Sequence, residues 1–248
     1  MRFILLSTVM FIAVTTVFAE GNKVTYQVAG KPYEGYFISP GANAPLILLI
    51  HDWDGLTEYE IRRANMLAEL GYAVFAADLF GAGVRPTEVS DKRQHTGELY
   101  ADRGKMRILM QGALSQAESS MGVDLQHTVA IGYCFGGAAV LELARSGAPL
   151  RGFVTFHGGL GIPDGQDYSA TKGKVLVFHG TADTAISMDE FAGLGKQLEQ
   201  FGIEHELISY GGAPHAFTVF GSDRYREDAD RASWQRFTRF LQEIFSKQ

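Results

Sequence analysis

The one cysteine of the chain, Cys134, stands in a sequence context that suits a catalytic nucleophile. It lies in the middle of residues 132–137, Gly-Tyr-Cys-Phe-Gly-Gly, after an apolar run and before a stretch of helical composition. Such a segment predicts a nucleophile elbow, in which a strand turns sharply into a helix and holds the reactive side chain above the sheet. The alternative is a buried core cysteine, because a free cysteine otherwise behaves as a small hydrophobe.

An elbow would activate Cys134 in two ways. The positive end of the following helix is predicted to favour the thiolate, which is the reactive form of the residue. The backbone N–H of Phe135 is expected to face the position where an oxyanion develops during attack on a carbonyl group. Both effects predict nucleophilic chemistry at this sulfur atom.

Two polar residues follow later apolar runs and would complete a catalytic set. Asp183 comes four residues after the run Lys174–His179, and His215 comes just after the next run. Ligands bind at the carboxyl ends of the strands of an open parallel sheet, so these side chains are expected to meet Cys134 there. His215 could take the thiol proton and later protonate a leaving group, while Asp183 orients the imidazole.

Other residues compete for these two roles. His157 and His179 also end apolar runs and could line the pocket, but neither follows the acid in a long loop. Asp164 and Asp167 lie in a glycine-rich segment, and we interpret them as turn residues. The order nucleophile, acid, histidine is that of the α/β-hydrolase fold, and it favours the first set.

The segment His-Asp-Trp-Asp-Gly at residues 51–55 closes the first parallel strand and is predicted to border the site. In α/β-hydrolases this loop donates the second oxyanion N–H, here from Trp53, and Asp52 would stand near the nucleophile. Alternatively, Asp52 and Asp54 only cap the following helix. A metal site is disfavoured because the ligands are adjacent and no second cluster completes a coordination sphere.

The elements that position these residues alternate between apolar strands and amphipathic helices, which predicts an α/β fold with a doubly wound, mostly parallel sheet and helices on both faces. An antiparallel hairpin, Val24–Val28 and Tyr33–Ser39, precedes that sheet. Residues 81–103 form the longest polar interruption, predicted as a loop or partial lid with a solvated surface. Further strands are predicted at Leu46–Ile50, Tyr72–Ala77, Thr128–Ile131, Gly152–Phe156, Lys174–His179 and Glu204–Tyr210, and helices at Ile61–Leu70, Lys105–Met121, Ala138–Arg145, Met188–Phe201 and Ala229–Phe245.

These motifs resemble the dienelactone hydrolase family, cysteine-dependent members of the α/β-hydrolase fold. The resemblance spans essentially the whole chain after residue 19, and residues 132–137 carry its most specific part. Gly-Thr-Ala-Asp at 180–183, Pro-His-Ala-Phe at 214–217 and Ala-Asp-Leu-Phe at 77–80 support it. The resemblance implies a catalytic triad of Cys134, Asp183 and His215. It also implies two oxyanion donors, the backbone N–H groups of Phe135 and Trp53.

The chain departs from the family pattern at two points. The namesake enzyme has a glutamate that pairs with the resting thiol and accepts its proton, and Asp52 stands at the matching position. The namesake also holds a substrate carboxylate with two arginines, one of them shortly after the catalytic histidine, whereas residues 216–220 here contain none. Five residues are therefore only candidates for substrate binding: Arg85, Arg93, Arg103, His157 and Phe217.

The composition favours a single exported domain. The 248 residues are 46% hydrophobic and carry a formal charge of −6, with no basic run, so a nucleic-acid partner is disfavoured. Arg2, the apolar run Phe3–Phe18 and the small-x-small end at 17–19 predict a signal peptide cleaved after Ala19 and a periplasmic or secreted protein, an uncleaved anchor being the alternative. Residues 20–248 are then one domain with no stable membrane association.

We therefore expect a hydrolase that cleaves a small ester or lactone through a thioester intermediate, with no metal or organic cofactor. A non-catalytic binding module on the same fold is the first alternative. A redox role, in which Cys134 is oxidised to a sulfenic acid and resolved by another protein's thiol, is the second.

Overall fold

A computed structural model describes residues 20–121, 123 and 125–246 of the chain, so the predicted leader lies outside the described residues. The strands form one sheet in the order β1-β2-β4-β3-β5-β6-β7-β8. Their bounds are β1 Asn22–Val28, β2 Lys31–Ile38, β3 Leu46–Ile50, β4 Ala73–Ala77, β5 Thr128–Tyr133, β6 Gly152–Phe156, β7 Lys174–Gly180 and β8 His205–Tyr210.

The hairpin at one edge of the sheet is joined by a tight turn at Ala29 and Gly30. Both residues have positive φ values, 48° and 74°, as the two-residue turn that suits twisted strands requires. β2 then pairs antiparallel with β4, and every later pairing in the sheet is parallel. The predicted sheet, with its antiparallel start and parallel body, is confirmed.

Helices cover both faces of the sheet because successive residues of the central strands point to opposite sides. In β3, Leu46, Leu48 and Ile50 join one hydrophobic cluster and Ile47 and Leu49 join the other. α1 and α6 pack on the second cluster, and the other helices lie on the first. The helices are α1 Glu58–Glu69, α2 Val89–Ala101, α3 Arg103–Met121, α4 Phe135–Arg145, α5 Met188–Gln200 and α6 Glu227–Ser246, with a short 3-10 turn at Leu125–His127.

Helix α2 corrects the prediction that residues 81–103 form a loop. Its only buried residues are Thr96 and Leu99, so the sequence lacks the apolar repeat that reveals an amphipathic helix. The helix is held instead by polar contacts, including an ion pair of 3.6 Å between Lys92 and Asp54. It therefore lies beside the loop that follows β3.

None of the helices within the described part of the chain is both long enough and apolar enough to cross a membrane.

Candidate active site

Cys134 occupies a strained turn between β5 and α4. Its φ of 49° and ψ of −111° lie in a region that residues other than glycine rarely adopt. A side chain at Gly132 would collide with the carbonyl of Gly136, and one at Gly136 would collide with the carbonyl of Ile50. The two glycines therefore let strand and helix approach, and the turn that the sequence predicts is present.

The structure brings Cys134, His215 and Asp183 together at the carboxyl ends of β5, β7 and β8. His215 Nε2 lies 3.1 Å from Cys134 Sγ, and His215 Nδ1 lies 2.8 Å from Asp183 Oδ2. The thiol is within hydrogen-bonding reach of a base that is itself oriented by a carboxylate. This is the spatial relation that nucleophilic catalysis by a triad requires.

Asp183 is built to remain ionised although its side chain is buried. Burial by itself would raise its pKa, but the hydrogen bond with His215 and those from the backbone N–H groups of Ile186 and Ala185 outweigh this effect. The pKa of the carboxyl group is therefore lowered. An ionised Asp183 can stabilise a positive charge on His215.

The predicted effect of the helix terminus on Cys134 is outweighed by the other surroundings of the thiol. Burial, followed by the negative charge of Asp52 and a hydrogen bond between the thiol and that carboxylate, raises the pKa of Cys134 well above its ordinary value. The N–H of Phe135 at the start of α4 lowers the pKa, but by less than these effects raise it. The free enzyme consequently holds a neutral thiol.

Asp52 bonds to two groups of the site at once. Its carboxylate interacts with the Cys134 thiol, and its Oδ1 accepts the backbone N–H of Trp53 at 2.5 Å. Burial and the neighbouring charge of Asp54 raise the pKa of Asp52 to about 6, although these hydrogen bonds act in the opposite direction. The shorter aspartate therefore reaches the thiol, as the family's glutamate does by the resemblance.

Two supporting residues of this loop were missed from the sequence. Buried His51 lies with Nδ1 2.6 Å from the carbonyl oxygen of Asp52, while its Nε2 accepts the N–H of Leu79. In a trans peptide the C=O and N–H groups point in opposite directions, so the contact with His51 restrains the peptide group that carries the Trp53 N–H. Neither contact has a local sequence signal.

The second missed residue is Glu60, in the first turn of α1. Its buried carboxylate accepts the N–H of Asp52 at 3.1 Å and the N–H and hydroxyl of Thr57, each at 2.8 Å. Burial raises the pKa of Glu60 to about 8, and the hydrogen bonds only partly oppose this increase. A helix-capping pattern at Thr57 and Glu60 was readable from the sequence, but its contact with Asp52 was not.

Aromatic side chains form the surroundings of the thiol. The Phe135 ring packs against Phe80 and against the edge of Tyr100, with ring centroids 5.6 Å apart in both pairs. His95 of α2 stacks on Phe80, and Lys92 lies over the Trp53 ring. Helix α2 thus contributes to the wall of the site, as the partial lid predicted there would.

Three of the predicted substrate-binding residues are not free to meet a substrate. His157 and Phe217 are completely buried, so their side chains lie behind the site. The Arg85 guanidinium donates to the backbone carbonyls of Leu56, Val84 and Glu34. It therefore connects three segments of the backbone. We correct these predictions because burial and existing hydrogen bonds already account for all three side chains.

Arg93 and Arg103 remain candidates for substrate binding. Arg93 is exposed on α2. Arg103 begins α3, and its guanidinium lies 4.7 Å from the centre of the Tyr100 ring. It belongs to a cluster in which the buried carboxylate of Glu142 meets three arginines, Arg107 at 2.6 Å, Arg145 at 2.7 Å and Arg103 at 3.8 Å.

The competing residues occupy other environments. His179 is buried and stacks on Phe191, and Asp167 is exposed and bonds to the hydroxyl and N–H of Ser169. Within the ranges that the structure describes, no three His, Cys, Asp or Glu side chains converge as a metal site.

Comparison with solved structures defines the class of the protein. A dienelactone hydrolase-like promiscuous phosphotriesterase from metagenomic libraries superposes with a TM-score of 0.84 and 30% identity, covering 91% of this chain and 98% of its own. A protein from Klebsiella pneumoniae that is provisionally named a dienelactone hydrolase superposes with a TM-score of 0.80 and 18% identity. The match covers 90% of this chain and 98% of the Klebsiella chain. The fold is the α/β-hydrolase fold.

The sequence comparison specifies the family. The profile of the dienelactone hydrolase family matches residues 33–245, and the chain belongs to this family. A protein of Saccharolobus solfataricus, provisionally named a carboxymethylenebutenolidase, is 30% identical over 259 residues, which cover 90% of this chain and 98% of the relative. The protein is a carboxylic ester hydrolase acting on a small-molecule substrate.

Proposed function

We propose that the protein hydrolyses a small ester or lactone with a Cys134-His215-Asp183 triad through a thioester intermediate. The observation that carries the proposal is the 3.1 Å separation between His215 Nε2 and Cys134 Sγ, on an imidazole whose other nitrogen bonds to Asp183. His215 takes the thiol proton as the sulfur attacks the substrate carbonyl. Asp183 stabilises the imidazolium that forms.

The oxyanion of the tetrahedral intermediate would be bound by the N–H groups of Phe135 and Trp53. Because Asp52 accepts the Trp53 N–H in the free enzyme, substrate must displace this carboxylate before the donor is available. Displacement also moves away a negative charge that, after burial, is the largest cause of the raised pKa of Cys134. Substrate binding and activation of Cys134 would therefore occur together.

The intermediate collapses when the C–O bond breaks and His215 returns its proton to the departing alkoxide. Water, deprotonated by the same imidazole, then attacks the thioester carbonyl, and the carboxylic acid leaves as the sulfur regains a proton. In a lactone the alkoxide stays tethered to the acyl group. We expect release of the acyl group to be the slower half of the reaction, and activated esters and lactones to react faster than amides.

Turnover of p-nitrophenyl acetate by the purified protein tests this mechanism. Cys134→Ala should abolish hydrolysis, and His215→Ala should lower kcat by more than ~10²-fold, the scale of a lost general base. His205→Ala, at the opposite end of the parallel strands, is the matched histidine control and should retain activity. Hydrolysis that survives Cys134→Ala refutes the thiol mechanism.

The same assay separates the two alternatives from the sequence. Iodoacetamide labelling of Cys134 without turnover of any ester would favour the redox role, and neither labelling nor turnover would favour a binding module. The raised pKa of Cys134 argues against the redox role, because sulfenic acid formation depends on thiolate character.

We propose Arg103 as the residue that meets a negatively charged group of the substrate. It lies against Tyr100, which packs on Phe135 beside the nucleophile, and its nearest carboxylate is shared with two other arginines. The cluster thus carries three positive charges around one negative charge. An ester with a carboxylate in its acyl part is the substrate class that this arrangement favours.

A phosphotriester is a second candidate substrate, favoured by the 30% identical phosphotriesterase that covers 91% of this chain. Cys134 would attack phosphorus and expel an aryloxide, and water activated by His215 would release the phosphoryl group from sulfur. Paraoxon turnover by wild type and by Cys134→Ala tests this activity. Absence of turnover by the wild type would exclude it.

We also propose that residues 1–19 direct export of the protein to the periplasm or beyond. The support is their sequence alone: a charged start, an apolar run and a small-x-small end. Mass spectrometry of the extracytoplasmic protein should find Glu20 as its first residue. A cytoplasmic protein that retains Arg2 would contradict the proposal.

A further inference from the structure

A buried polar network lies directly behind the catalytic histidine and joins two strained backbone positions. His157, at the end of β6, has a φ of 42°, and Ala216, next to His215, has a φ of 63°. Strained residues of this kind persist only where the surrounding structure holds them. The side chain that bridges the two segments is buried Thr218, three residues after His215.

Both the side chain and the backbone carbonyl of Thr218 form hydrogen bonds. Its Oγ1 lies 2.8 Å from His157 Nε2 and 2.7 Å from the hydroxyl of Tyr59 in α1. Its backbone carbonyl accepts a hydrogen bond of 2.8 Å from Arg63, also in α1. The segment after His215 is thereby tied to β6 and to α1 at the same time.

Arg63 is a rigid anchor for this arrangement. It is buried, it forms an ion pair of 2.5 Å with Asp230 of α6, and its guanidinium lies over the rings of Phe220 and Trp234. Its Nε also donates to the Tyr59 hydroxyl at 3.3 Å. A guanidinium group has only donors, so Arg63 is the donor in each of the hydrogen bonds that it forms.

Donor and acceptor capacity links these groups into one network. Arg63 can only donate, so the Tyr59 oxygen accepts from its Nε. The Thr218 hydroxyl has one proton and two lone pairs, so it can bond to Tyr59 and to His157 Nε2 at the same time.

A neutral His157 matters because its ring lies edge-on to the catalytic ring, with centroids 5.4 Å apart. A positive charge at that distance would oppose the imidazolium that His215 must become during acylation. Burial, and then the neighbouring His215, also lower the pKa of His157 well below its ordinary value. The other charged groups that face it are Asp183, which acts in the opposite direction, and Arg63.

We propose that Thr218 is a positioning residue of the reaction: its hydroxyl bonds to His157 and Tyr59, its backbone carbonyl bonds to Arg63, and these contacts together hold the His215 loop at the distance that the thiol requires. This inference rests on the proposed function, since it takes His215 as the base. Thr218 touches neither the substrate nor the sulfur atom. It acts through His157 and through the backbone on which His215 is carried.

The test compares Thr218→Val with Thr218→Ser, which keeps the hydroxyl. For p-nitrophenyl acetate, the valine variant should lose at least ~10-fold in kcat with KM within about threefold of wild type, because small displacements of a catalytic group are costly. The serine variant should retain kcat within about threefold.

The controls separate a positioning role from general damage. Thr171→Val removes another buried threonine hydroxyl, one that donates to the carbonyl of Ala144, and should leave kcat unchanged. If Thr218→Val does not fold, Tyr59→Phe removes one of the two partners of the Thr218 hydroxyl and should lower kcat several-fold with KM nearly unchanged. Each variant is assayed below its melting temperature.

Several results would overturn the inference: unchanged kcat in Thr218→Val or in its substitute Tyr59→Phe, a serine variant as impaired as valine, or an equal loss in Thr171→Val. The Cys134→Ala variant, measured alongside, tests the proposed function separately. Retained hydrolysis there refutes the thiol mechanism. A fully active Thr218→Val variant of an enzyme that does depend on Cys134 refutes the positioning role alone.

Discussion

Asp52 Oδ1 and the backbone nitrogen of Trp53 lie 2.5 Å apart, so in the free protein the oxyanion donor is occupied by the carboxylate of the preceding residue. The same carboxylate bonds to the Cys134 thiol and raises its pKa. One side chain thus interacts with both the nucleophile and the Trp53 N–H, the proposed oxyanion donor. The first prediction concerns this restraint.

Replacement of Asp52 by alanine should make the resting thiol more reactive, because a charge and a hydrogen bond that favour its protonated form are removed. The pKa of Cys134 should therefore fall and its thiolate fraction should rise, so iodoacetamide labelling at pH 7 should accelerate on the order of tenfold. Ester turnover should change less. Asp54→Ala removes a more distant charge and should alter labelling less; equal rates in wild type and Asp52→Ala would contradict the restraint.

Glu60 should make the protein less stable as pH rises. Its folded pKa of about 8 is above its ordinary value of 4.5, so between these pH values the folded state binds more protons than the unfolded state and the free energy of unfolding falls. The decrease should be on the order of a few kcal/mol. Urea unfolding of wild type and Glu60→Gln between pH 5 and 8 measures it.

In that experiment Glu60→Gln should show a smaller loss of stability across the same range, because glutamine does not titrate. Glu58→Gln, exposed in the same helical turn, is the control and should follow the wild type. Parallel curves for wild type and Glu60→Gln would show that Glu60 is not the titrating group.

Arg103→Gln should weaken the binding of anionic esters selectively. We expect KM for a p-nitrophenyl monoester of a dicarboxylic acid to rise on the order of tenfold, with KM for p-nitrophenyl acetate nearly unchanged, because a charge-assisted bond contributes roughly 1.5–3 kcal/mol. Arg93→Gln is the matched comparison from exposed α2. A selective loss in Arg93→Gln instead would transfer the role to that residue.

Gly136→Ala should prevent stable folding of the elbow. The added methyl group would overlap the backbone carbonyl oxygens of Ile50, the last residue of β3, and of His51, the next residue; backbone atoms cannot yield as a flexible side chain would. We expect a loss of at least ~3 kcal/mol in the free energy of unfolding. Gly193→Ala, in open space on α5, should be tolerated; similar melting temperatures for the two variants would contradict this account.

The sequence predicted those features that have a local signal. Cys134, Asp183 and His215 were found because each follows an apolar strand, and the carboxyl ends of parallel strands meet at one edge of the sheet. Helix α2 was missed because it is held by pairs such as Lys92 and Asp54, which produce no hydrophobic repeat.

Other features depend on distances that no sequence pattern encodes. The raised pKa of Cys134 results from the sum of burial, a carboxylate and a helix terminus; the sequence indicated the last two but not the burial that has the largest effect. Arg85 has the residue type of a substrate ligand, yet its donors are taken by backbone carbonyls from three segments. His51 and Glu60 bond to the backbone carbonyl and N–H of Asp52. Every residue except proline has these two groups, so no residue type in the sequence indicates the contacts.

The left-handed backbone at Cys134 has an evolutionary consequence. Glycine tolerates positive φ values far better than any residue with a side chain, so Cys134→Gly should relieve strain of order 1–3 kcal/mol and raise the melting temperature while ending catalysis. Selection for durability alone would therefore erase the nucleophile. Stability and catalysis therefore favour different residues at this one position.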